Sequence, residues 1–450
     1  MSEKPQLFGT DGVRGVAGQY PLDRQTVRRL GAALGVVLGK SAAARPLRVL
    51  LGEDTRESSP WISRALAAGL KSRRVEVTYA GVLTTPGVAY LMSHHGFAAG
   101  IVVSASHNPY VDNGIKVFSS AGTKLPEQVE LEIERELAEV GSDGAAEPAL
   151  PGDTSLLTDY VERLASLVAR GPWVAPERLV VDCAHGASSY VVPPLLARLG
   201  IRGRVLNAEP NGRNINLQCG SLHPEQMAEE TRNSGADLGV AFDGDADRAI
   251  FATRDGRIAD GDHVLYAFAP FFQRQNLLTG GAVVGTLMTN LGLEIALAGE
   301  GIGLKRAPVG DKYVLEEMLR SGINLGGEPS GHIIFSDISL AGDGLVTLLE
   351  VLRVVAATGE PLEELVRGLK QFPQIIRNVR VRTKQPLDSI PEVMAAIAAC
   401  ERDFGDRGRT VVRYSGTEPL ARVMVEGEEA GVVEHHAARI AGAISNALGV

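Results

Sequence analysis

The chain contains 450 residues, of which 44% are hydrophobic and 22% charged, a composition typical of a folded protein with several hydrophobic cores. At about 150 residues per domain, this length predicts three domains, or four if some are small. The net charge of −9 argues against nonspecific nucleic-acid binding and against attraction to an anionic membrane surface.

The cysteines and the N-terminus favour a reducing compartment. Cys183, Cys219 and Cys400 lie far apart and form no CxxC pair, so they do not suggest a disulfide framework. No apolar run follows a positively charged start, and the most apolar early stretch, residues 30–39, is too short to span a bilayer. We therefore expect a cytoplasmic protein that does not enter a membrane.

The first motif with chemical content lies near the N-terminus. Residues 8–15 read Phe-Gly-Thr-Asp-Gly-Val-Arg-Gly, so glycines stand on both sides of Arg14. An arginine among glycines can reach an anionic group, because the glycines leave the backbone open around it. Arg14 is therefore a candidate anion-binding residue.

One pattern, an apolar strand followed by a helix, recurs three times along the chain. The apolar strands are continuous rather than alternating, as expected when helices cover both faces of a sheet. Strand–helix–strand units imply largely parallel sheets with right-handed crossovers. We predict three similar α/β domains with mixed or parallel sheets. The predicted elements are strands at 48–52 and 75–79 around a helix at 60–70, strands at 178–182 and near 205 around a helix at 188–199, and a strand at 282–286 followed by a helix at 291–298.

The strand at residues 100–103 runs into Ser-Ala-Ser-His-Asn-Pro, which places Ser106 just past a strand end. Ligands of open α/β sheets bind there, so Ser106 is a candidate nucleophile or phosphate carrier and His107 can orient or polarise it. The alternative is a simple strand-to-turn junction, with serine and asparagine as turn formers. Lys116 follows closely as a further candidate cation, although a single lysine on a strand usually lies on the solvent-exposed surface.

A linker rich in glycine, alanine and proline is expected at residues 141–151. Further boundaries are expected near residues 253 and 369. These positions divide the chain into predicted domains at 1–150, 151–253, 254–369 and 370–450.

The strand at 237–241 leads into the acidic sequence Asp243-Gly-Asp245-Ala-Asp247-Arg248. Three carboxylates at alternate positions repel one another unless a cation lies among them, and hard oxygen ligands suit Mg²⁺ or Ca²⁺. An EF-hand loop is excluded, because it requires glycine at its sixth position and glutamate at its twelfth, where this chain has Arg248 and Arg254. The remaining alternative is a solvated acidic turn.

Residues 326–332 read Gly-Gly-Glu-Pro-Ser-Gly-His, a loop suited to a polyol because a carboxylate accepts from two hydroxyl groups. Its candidate substrate contacts are Glu328, Ser330 and His332. The alternative is a turn with incidental polar residues.

The last eighty residues predict a smaller α+β domain with antiparallel strands. Its predicted elements are strands at 375–381, 410–413 and 421–426 and helices at 390–400 and 429–448. The sequence Arg413-Tyr-Ser415-Gly-Thr417, with Arg422 beyond it, can form an anion-binding nest reinforced by arginine. A hairpin turn is the alternative, and one turn can serve both purposes.

Five motifs in this order resemble those of the α-D-phosphohexomutase superfamily over essentially the whole chain. They are the motifs at residues 8–15, 104–109, 243–248, 327–332 and 413–419. The resemblance implies three similar α/β domains and a C-terminal α+β domain around one central cleft, each domain giving one loop.

The resemblance also implies a phosphoserine enzyme. Ser106 carries the phosphoryl group, and one Mg²⁺ per chain is held by Ser106 and the three aspartates. Lys116 is the implied general base or charge stabiliser, assisted by His107, Arg14 and Arg248. A hexosamine 1,6-bisphosphate is the implied intermediate and activator. The implied substrate contacts are Glu328, Ser330, His332, Arg413, Ser415, Gly416, Thr417 and Arg422.

Within the superfamily, two motifs are similar to the glucosamine branch. These are the Arg-Tyr-Ser-Gly sequence from Arg413 and the Val-Gly-Asp sequence ending at Asp311. Pro329 departs from that branch, which more often has glutamine there. The implied reaction interconverts glucosamine 6-phosphate and glucosamine 1-phosphate and feeds UDP-N-acetylglucosamine synthesis; phosphomannomutase/phosphoglucomutase is the alternative. A small sugar phosphate is the expected partner, and a homodimer is left open.

Two alternatives from other functional classes use the same motifs. A Mg²⁺-dependent phosphatase would use the aspartates with an aspartate nucleophile and would not need Ser106. A sugar-phosphate sensor without activity would be expected to lack the metal-binding carboxylates, which are all present here.

Overall fold

The structure of the protein is a computed structural model that describes residues 5–41, 47–141, 146–415 and 419–449. The substrate contacts predicted at Gly416 and Thr417 lie outside the described residues. Four β-sheets of six, five, four and three strands follow one another along the described chain. We call each sheet with its helices a unit, numbered first to third, with a C-terminal unit after them.

The first unit is a six-stranded mixed sheet with the strand order β1-β2-β6-β5-β3-β4. Strand β3 pairs in parallel with β4 and β5, whereas β6 is antiparallel to β5 and β2. The antiparallel β6 brings Lys116 beside the strand end that carries Ser106. The elements are β1 (Phe8–Gly9), β2 (Gly12–Val16), α1 (Arg24–Ser41), β3 (Leu47–Glu53), α2 (Ser59–Ser72), β4 (Val75–Val82), α3 (Thr85–His94), β5 (Ala99–Val103), β6 (Asp112–Ser119) and α4 (Glu127–Glu139).

The second unit contains a five-stranded sheet in the order β11-β10-β9-β7-β8. Strand β9 ends one residue before Asp243 and is parallel to β7, while β10 returns antiparallel after the acidic loop. The elements are α5 (Thr154–Ser166), β7 (Leu179–Asp182), α6 (Ser188–Leu199), β8 (Gly203–Leu206), α7 (Glu225–Ser234), β9 (Leu238–Phe242), β10 (Ala249–Ala252) and β11 (Ile258–Ala259).

The third unit contains a four-stranded sheet in the order β13-β12-β14-β15. The sequence Glu-Pro-Ser-Gly-His forms the connection between the antiparallel strands β14 and β15. The elements are α8 (Gly261–Arg274), β12 (Ala282–Thr286), α9 (Leu291–Gly299), β13 (Gly303–Ala307), α10 (Asp311–Ser321), β14 (Leu325–Gly327), β15 (Ile333–Phe335), α11 (Gly344–Thr358) and α12 (Leu362–Leu365).

The C-terminal unit is an antiparallel sheet in the order β16-β18-β17, covered by two helices. Its elements are β16 (Gln374–Arg380), α13 (Pro391–Phe404), β17 (Gly408–Tyr414), β18 (Leu420–Gly427) and α14 (Ala430–Leu448). Buried Glu426 pairs with Arg409, whose guanidinium also donates to the carbonyls of Leu287 and Thr289 at 2.9 and 2.6 Å. These bonds attach the C-terminal unit to the third unit.

The first three units share one hydrophobic core, which includes Val102 of the first unit, Val240 of the second and Leu348 of the third. The C-terminal unit has its own core around Val423 and Ile440. Burial of apolar surface on this scale is the main stabilising contribution to folding. The site loops of the first three units are therefore fixed on one continuous framework.

The architecture confirms the predicted fold class: three α/β units with mixed sheets and a smaller α+β unit. The strand Ile258–Ala259 pairs with β10, so the second sheet continues past residue 253, where a boundary was expected. Residues 146–151, within the expected linker region, contain no helix or strand. Within the described parts of the chain, no helix has both the length and the apolar character needed to cross a bilayer.

Candidate active site

Ser106 lies three residues beyond strand β5, in a left-handed backbone conformation with φ of 53°. That conformation is uncommon for a residue other than glycine and indicates a position held by its surroundings. The Ser106 carbonyl oxygen accepts hydrogen bonds from Arg56 Nη2 at 3.1 Å and from Asn216 Nδ2 at 2.9 Å. Arg56 belongs to the first unit and Asn216 to the second, so both units hold the serine in place.

The acidic loop meets Ser106 directly. The Oγ of Ser106 donates a hydrogen bond of 2.5 Å to Oδ2 of Asp243. A Cβ atom at Gly244 would lie 2.6 Å from the Ser106 carbonyl oxygen, so only glycine allows this close approach. The serine motif and the acidic motif therefore form one site.

The three aspartates form a buried carboxylate cluster, with one oxygen of each within 4.8 Å of the others. Burial, with the charges of Asp247 and Asp245, raises the pKa of Asp243 well above its usual value. Oδ1 of Asp245 and Oδ1 of Asp247 are buried and accept no hydrogen bond from the described residues. A divalent cation fits this set of oxygens, because it would supply the missing partner and offset the repulsion.

Thr85 fixes one member of the cluster. At the start of α3, its backbone nitrogen donates to the Asp245 carbonyl at 3.0 Å, and its Oγ1 donates to Asp245 Oδ2 at 2.5 Å. The first unit thus orients a carboxylate of the second, and Oδ1 of Asp245 stays available for a cation.

Lys116 is the cation at the centre of the site. Its Nζ lies 2.7 Å from Asp245 Oδ2, 3.0 Å from Asp11 Oδ2 and 3.3 Å from Asp247 Oδ2. Burial opposes its charge, but these carboxylates raise the pKa of Lys116 well above its ordinary value. The interpretation of Lys116 as solvated surface is wrong, since its side chain is 1% exposed. An ammonium so held stabilises negative charge and is poorly suited to act as a base.

His107 lies beside the serine, with Nδ1 3.2 Å from Ser106 Oγ. Burial, together with the charges of Arg248 and Arg14, lowers the pKa of His107 to about 4. The imidazole is therefore neutral near pH 7, and one ring nitrogen can accept a hydrogen bond.

Arg14 and Arg248 line the opening in front of the serine loop. Arg14 forms an ion pair with Asp11. The backbone nitrogen of Arg248 donates to Asp243 Oδ1 at 3.2 Å, while its Nε lies 3.9 Å from Asp247 Oδ1. Both guanidinium groups belong to the wall of the same cleft.

The cleft has a volume of about 570 Å³ and lies where the first, second and third units meet. Glu328 lines it with a fixed carboxylate: Oε1 accepts from the Gly310 nitrogen at 3.0 Å and Oε2 from Ser330 Oγ at 3.2 Å. Gly331 has a φ of 89°, and a Cβ there would lie 2.3 Å from the Ala249 carbonyl oxygen. The predicted sugar loop is thus held tightly against the second unit.

His332, a predicted substrate contact, lies in the wall of the cleft between two carboxylates. Its Nδ1 is 3.8 Å from Asp247 Oδ1 and its Nε2 is 3.7 Å from Asp311 Oδ2. Burial opposes protonation, but Asp247 and Asp311 raise the pKa of His332 to about 9. The imidazole of His332 therefore links the acidic loop to the third unit.

Two of the predicted phosphate contacts of the C-terminal unit, Arg413 and Arg422, line an adjoining cavity of about 340 Å³. Arg413 and Arg422 stand opposite each other on β17 and β18, and burial, with the neighbouring charge of Arg422, lowers the pKa of Arg413. Ser415 is buried, and its carbonyl accepts from Lys384 at 2.6 Å. Val309 lines both cavities, so the arginines border the main cleft without lining it.

Comparison with known families agrees with this arrangement. Family models described as phosphoglucomutase/phosphomannomutase α/β/α domains I, II and III match residues 5–143, 158–256 and 260–372. The model of the C-terminal domain matches residues 377–443. The chain belongs to the phosphoglucomutase/phosphomannomutase family. It is therefore an isomerase, an intramolecular phosphotransferase, as the motifs predicted.

Curated members of the family are similar over the full chain. A phosphoglucosamine mutase of Koribacter versatilis is 52% identical, covering 100% of this chain and 99% of its own length. A phosphoglucosamine mutase of Solibacter usitatus is 48% identical, covering 98% and 99%. A putative phosphomannomutase structure from Thermus thermophilus is 25% identical, with a TM-score of 0.77, and covers 99% of this chain and 100% of that one.

Solved structures of lower sequence identity share the fold. A phosphoglucomutase/phosphomannomutase family protein of Burkholderia thailandensis superposes with a TM-score of 0.80 at 24% identity, covering 99% of each chain. The N-acetylphosphoglucosamine mutase of Aspergillus fumigatus, solved in complex with GlcNAc-6P and magnesium, gives 0.68 at 19% identity over 99% of this chain and 96% of that one.

Several residues of this family member's site were not predicted from the sequence. Arg56, Thr85 and Asn216 hold the serine and acidic loops, but each stands in a segment that carried no chemical signal. Asp11 offered a signal, because it lies three residues before Arg14 within the motif at residues 8–15. Its contact with Lys116 depends on the pairing of β2 with β6, which the sequence did not reveal.

Proposed function

We propose that the chain interconverts glucosamine 6-phosphate and glucosamine 1-phosphate, with Ser106 carrying the phosphoryl group between turnovers. The contact of Ser106 Oγ with Asp243 at 2.5 Å carries this proposal, because it places a hydroxyl oxygen against a candidate cation site. The names of the full-length relatives at 52% and 48% identity support glucosamine as the sugar.

Mg²⁺ is the proposed cation, held by Asp243, Asp245 and Asp247 together with an oxygen of the Ser106 phosphate. When bound, it supplies charge neutralisation to the transferring phosphoryl group. Oδ1 of Asp245 and Oδ1 of Asp247 support this assignment, because neither accepts a hydrogen bond within the described part of the chain.

In the first transfer, the sugar 1-hydroxyl attacks the phosphorus atom on Ser106. The bond between phosphorus and Ser106 Oγ breaks, the bond to the sugar oxygen forms, and the hydroxyl proton ends on Ser106 Oγ. His107, whose neutral ring lies 3.2 Å from Oγ, is placed to share a hydrogen bond with Oγ and so to orient it during the exchange. Lys116, Arg14 and Arg248 stabilise the negative charge of the phosphoryl group as it moves.

The product of this transfer is a hexosamine 1,6-bisphosphate. The intermediate reverses its orientation within the cleft. Ser106 Oγ then takes the phosphoryl group from the 6-position, and glucosamine 1-phosphate is left. Both orientations need one anchor for the phosphate that does not react. Arg413, Ser415, Gly416, Thr417 and Arg422 are the proposed anchor, and Glu328 with Ser330 is proposed to bind sugar hydroxyls.

Glucose and mannose phosphates are the alternative substrates. They are considered because Pro329 departs from the residue more often found in the glucosamine branch. Its carbonyl accepts a bond of 3.1 Å from the Gly261 nitrogen, which fixes the sugar loop, but proline offers no donor to a sugar. A side-by-side assay of the 6-phosphates of glucosamine, glucose and mannose tests the proposal. The highest kcat/KM is expected for glucosamine 6-phosphate; a higher value for either other sugar would contradict the glucosamine assignment.

A further inference from the structure

Lys124 connects the first unit to the third behind the cleft. Its Nζ lies 2.5 Å from Asp11 Oδ1 and 2.6 Å from Asp311 Oδ1. Asp311 is the first residue of α10, and its pairing with Lys124 spans 187 positions of the chain. The lysine side chain is only 14% exposed, so solvent screens these pairs weakly.

The Lys124 bridge is part of a closed ring in which acidic and basic side chains alternate. Three of its members belong to the first unit, one to the second and two to the third. The ring therefore joins the acidic loop to two separate units. Its successive contacts are Asp247 to Lys116 at 3.3 Å, Lys116 to Asp11 at 3.0 Å, Asp11 to Lys124 at 2.5 Å, Lys124 to Asp311 at 2.6 Å, Asp311 to His332 at 3.7 Å and His332 to Asp247 at 3.8 Å.

Lys124 itself stands on the far side of the cleft wall. Asp11 and Asp311 line the cleft, whereas Lys124 lines only a second cavity of about 220 Å³, which Asp311 also borders. A substrate in the cleft would therefore meet the two aspartates and not the lysine. Any effect of Lys124 on the reaction must be transmitted through the carboxylates that it holds.

We propose that Lys124 is a positioning residue for phosphoryl transfer. By holding Asp11 beside Asp311, it fixes Lys116 between Asp11 and the aspartates of the acidic loop. Without the ammonium, the carboxylates of Asp11 and Asp311 would repel each other, and Asp11, which already pairs with Arg14, would shift away from Asp311. The contact between Asp11 and the Lys116 ammonium would then be weakened. This inference rests on the proposed role of Lys116 in stabilising the transferring phosphoryl group.

The experiment compares Lys124→Met, Lys124→Arg and wild type in steady-state kinetics, with activity expressed per folded molecule. Lys124→Met is expected to lower kcat by about 10- to 100-fold, because a displaced catalytic group costs rate while substrate contacts remain. KM for glucosamine 6-phosphate should stay within about threefold, and Lys124→Arg should recover most of the lost kcat. Lys40→Met is the matched control, since exposed Lys40 also bridges two carboxylates, Glu132 and Glu136, and should leave kcat unchanged.

If Lys124→Met melts at a lower temperature but keeps the wild-type kcat per folded molecule, Lys124 is only a structural link and the inference is wrong. The same variants are also assayed with glucose 6-phosphate. If wild type turns over only glucose 6-phosphate, the glucosamine assignment fails, and the kcat ratio of the variants on that substrate still decides the role of Lys124.

Discussion

The Oγ of Ser106 and Oδ2 of Asp243 lie 2.5 Å apart, although 137 positions separate the two residues in the chain. This contact joins the serine loop of the first unit to the acidic loop of the second. A phosphate on Oγ would meet three buried carboxylates, and its charge would repel theirs unless a cation lay between them. The carrier serine and the cation site are therefore interdependent.

The first prediction concerns the cation. Addition of MgCl₂ to metal-free protein should raise its free energy of unfolding, by about 2.7 kcal/mol at a free concentration one hundred times Kd. Asp245→Asn should lose most of this stabilisation, because it removes a charge from the cluster. Thermal unfolding at increasing MgCl₂ measures the effect. Glu132→Gln, an exposed carboxylate in the first unit, is the control, and a full Mg²⁺ response in Asp245→Asn would contradict the proposed site.

The second prediction concerns Asn216, which donates to the Ser106 carbonyl from the second unit. Asn216→Ala removes one of the two side-chain donors to the Ser106 carbonyl. The free energy that holds the serine in its left-handed conformation should fall by about 1–3 kcal/mol. We expect kcat to fall about tenfold or more. Asn214→Ala removes a bond to the Glu209 carbonyl in the same loop and should retain normal kcat. Equal kcat values in both variants would show that Asn216 does not position the serine.

The third prediction uses Asp343, which is buried and accepts hydrogen bonds from Tyr160 and from the start of α11. Burial raises the pKa of Asp343 from 3.8 to about 6. Because the folded state binds this proton more tightly, the associated stability is present below pH 3.8 and is lost as pH rises through about 6. Between about pH 5 and about pH 7, the free energy of unfolding should fall by about 1 kcal/mol from this group.

Asp343→Asn cannot ionise, so it should lack this part of the pH dependence. Urea unfolding at both pH values measures the difference, and exposed Asp388→Asn is the control. A variant with the same pH dependence as wild type would show that Asp343 does not titrate in this range.

The fourth prediction concerns the phosphate anchor. Arg413→Lys keeps the charge but loses the planar two-point contact that arginine makes with phosphate. KM for glucosamine 6-phosphate should rise about tenfold or more, while the phosphate on Ser106 is retained. Arg380→Lys, at an exposed position on strand β16 at the opposite edge of the same sheet, serves as the control in the same kinetic assay. An unchanged KM for Arg413→Lys would remove Arg413 from the proposed anchor.

The sequence predicted the parts of the site that are contiguous in the chain. Asp243, Asp245 and Asp247 stand at alternate positions after a buried strand, so their convergence could be predicted from local geometry. The surroundings of Lys116 could not be predicted from local geometry, because its partners Asp11 and Asp245 come from distant segments. The Lys124–Asp311 bridge depends in the same way on how the first unit packs against the third. Long-range packing, rather than local pattern, determined the electrostatics of these residues.

The mass of the intact protein is the most direct test of the central claim that Ser106 carries the phosphoryl group. Wild-type protein incubated with hexosamine 1,6-bisphosphate and Mg²⁺ should show an added mass of about one phosphoryl group, while Ser106→Ala should show none and should be inactive. His107→Ala, which keeps the serine, should still gain the added mass. A full phosphoryl increment or full activity in Ser106→Ala would contradict the account.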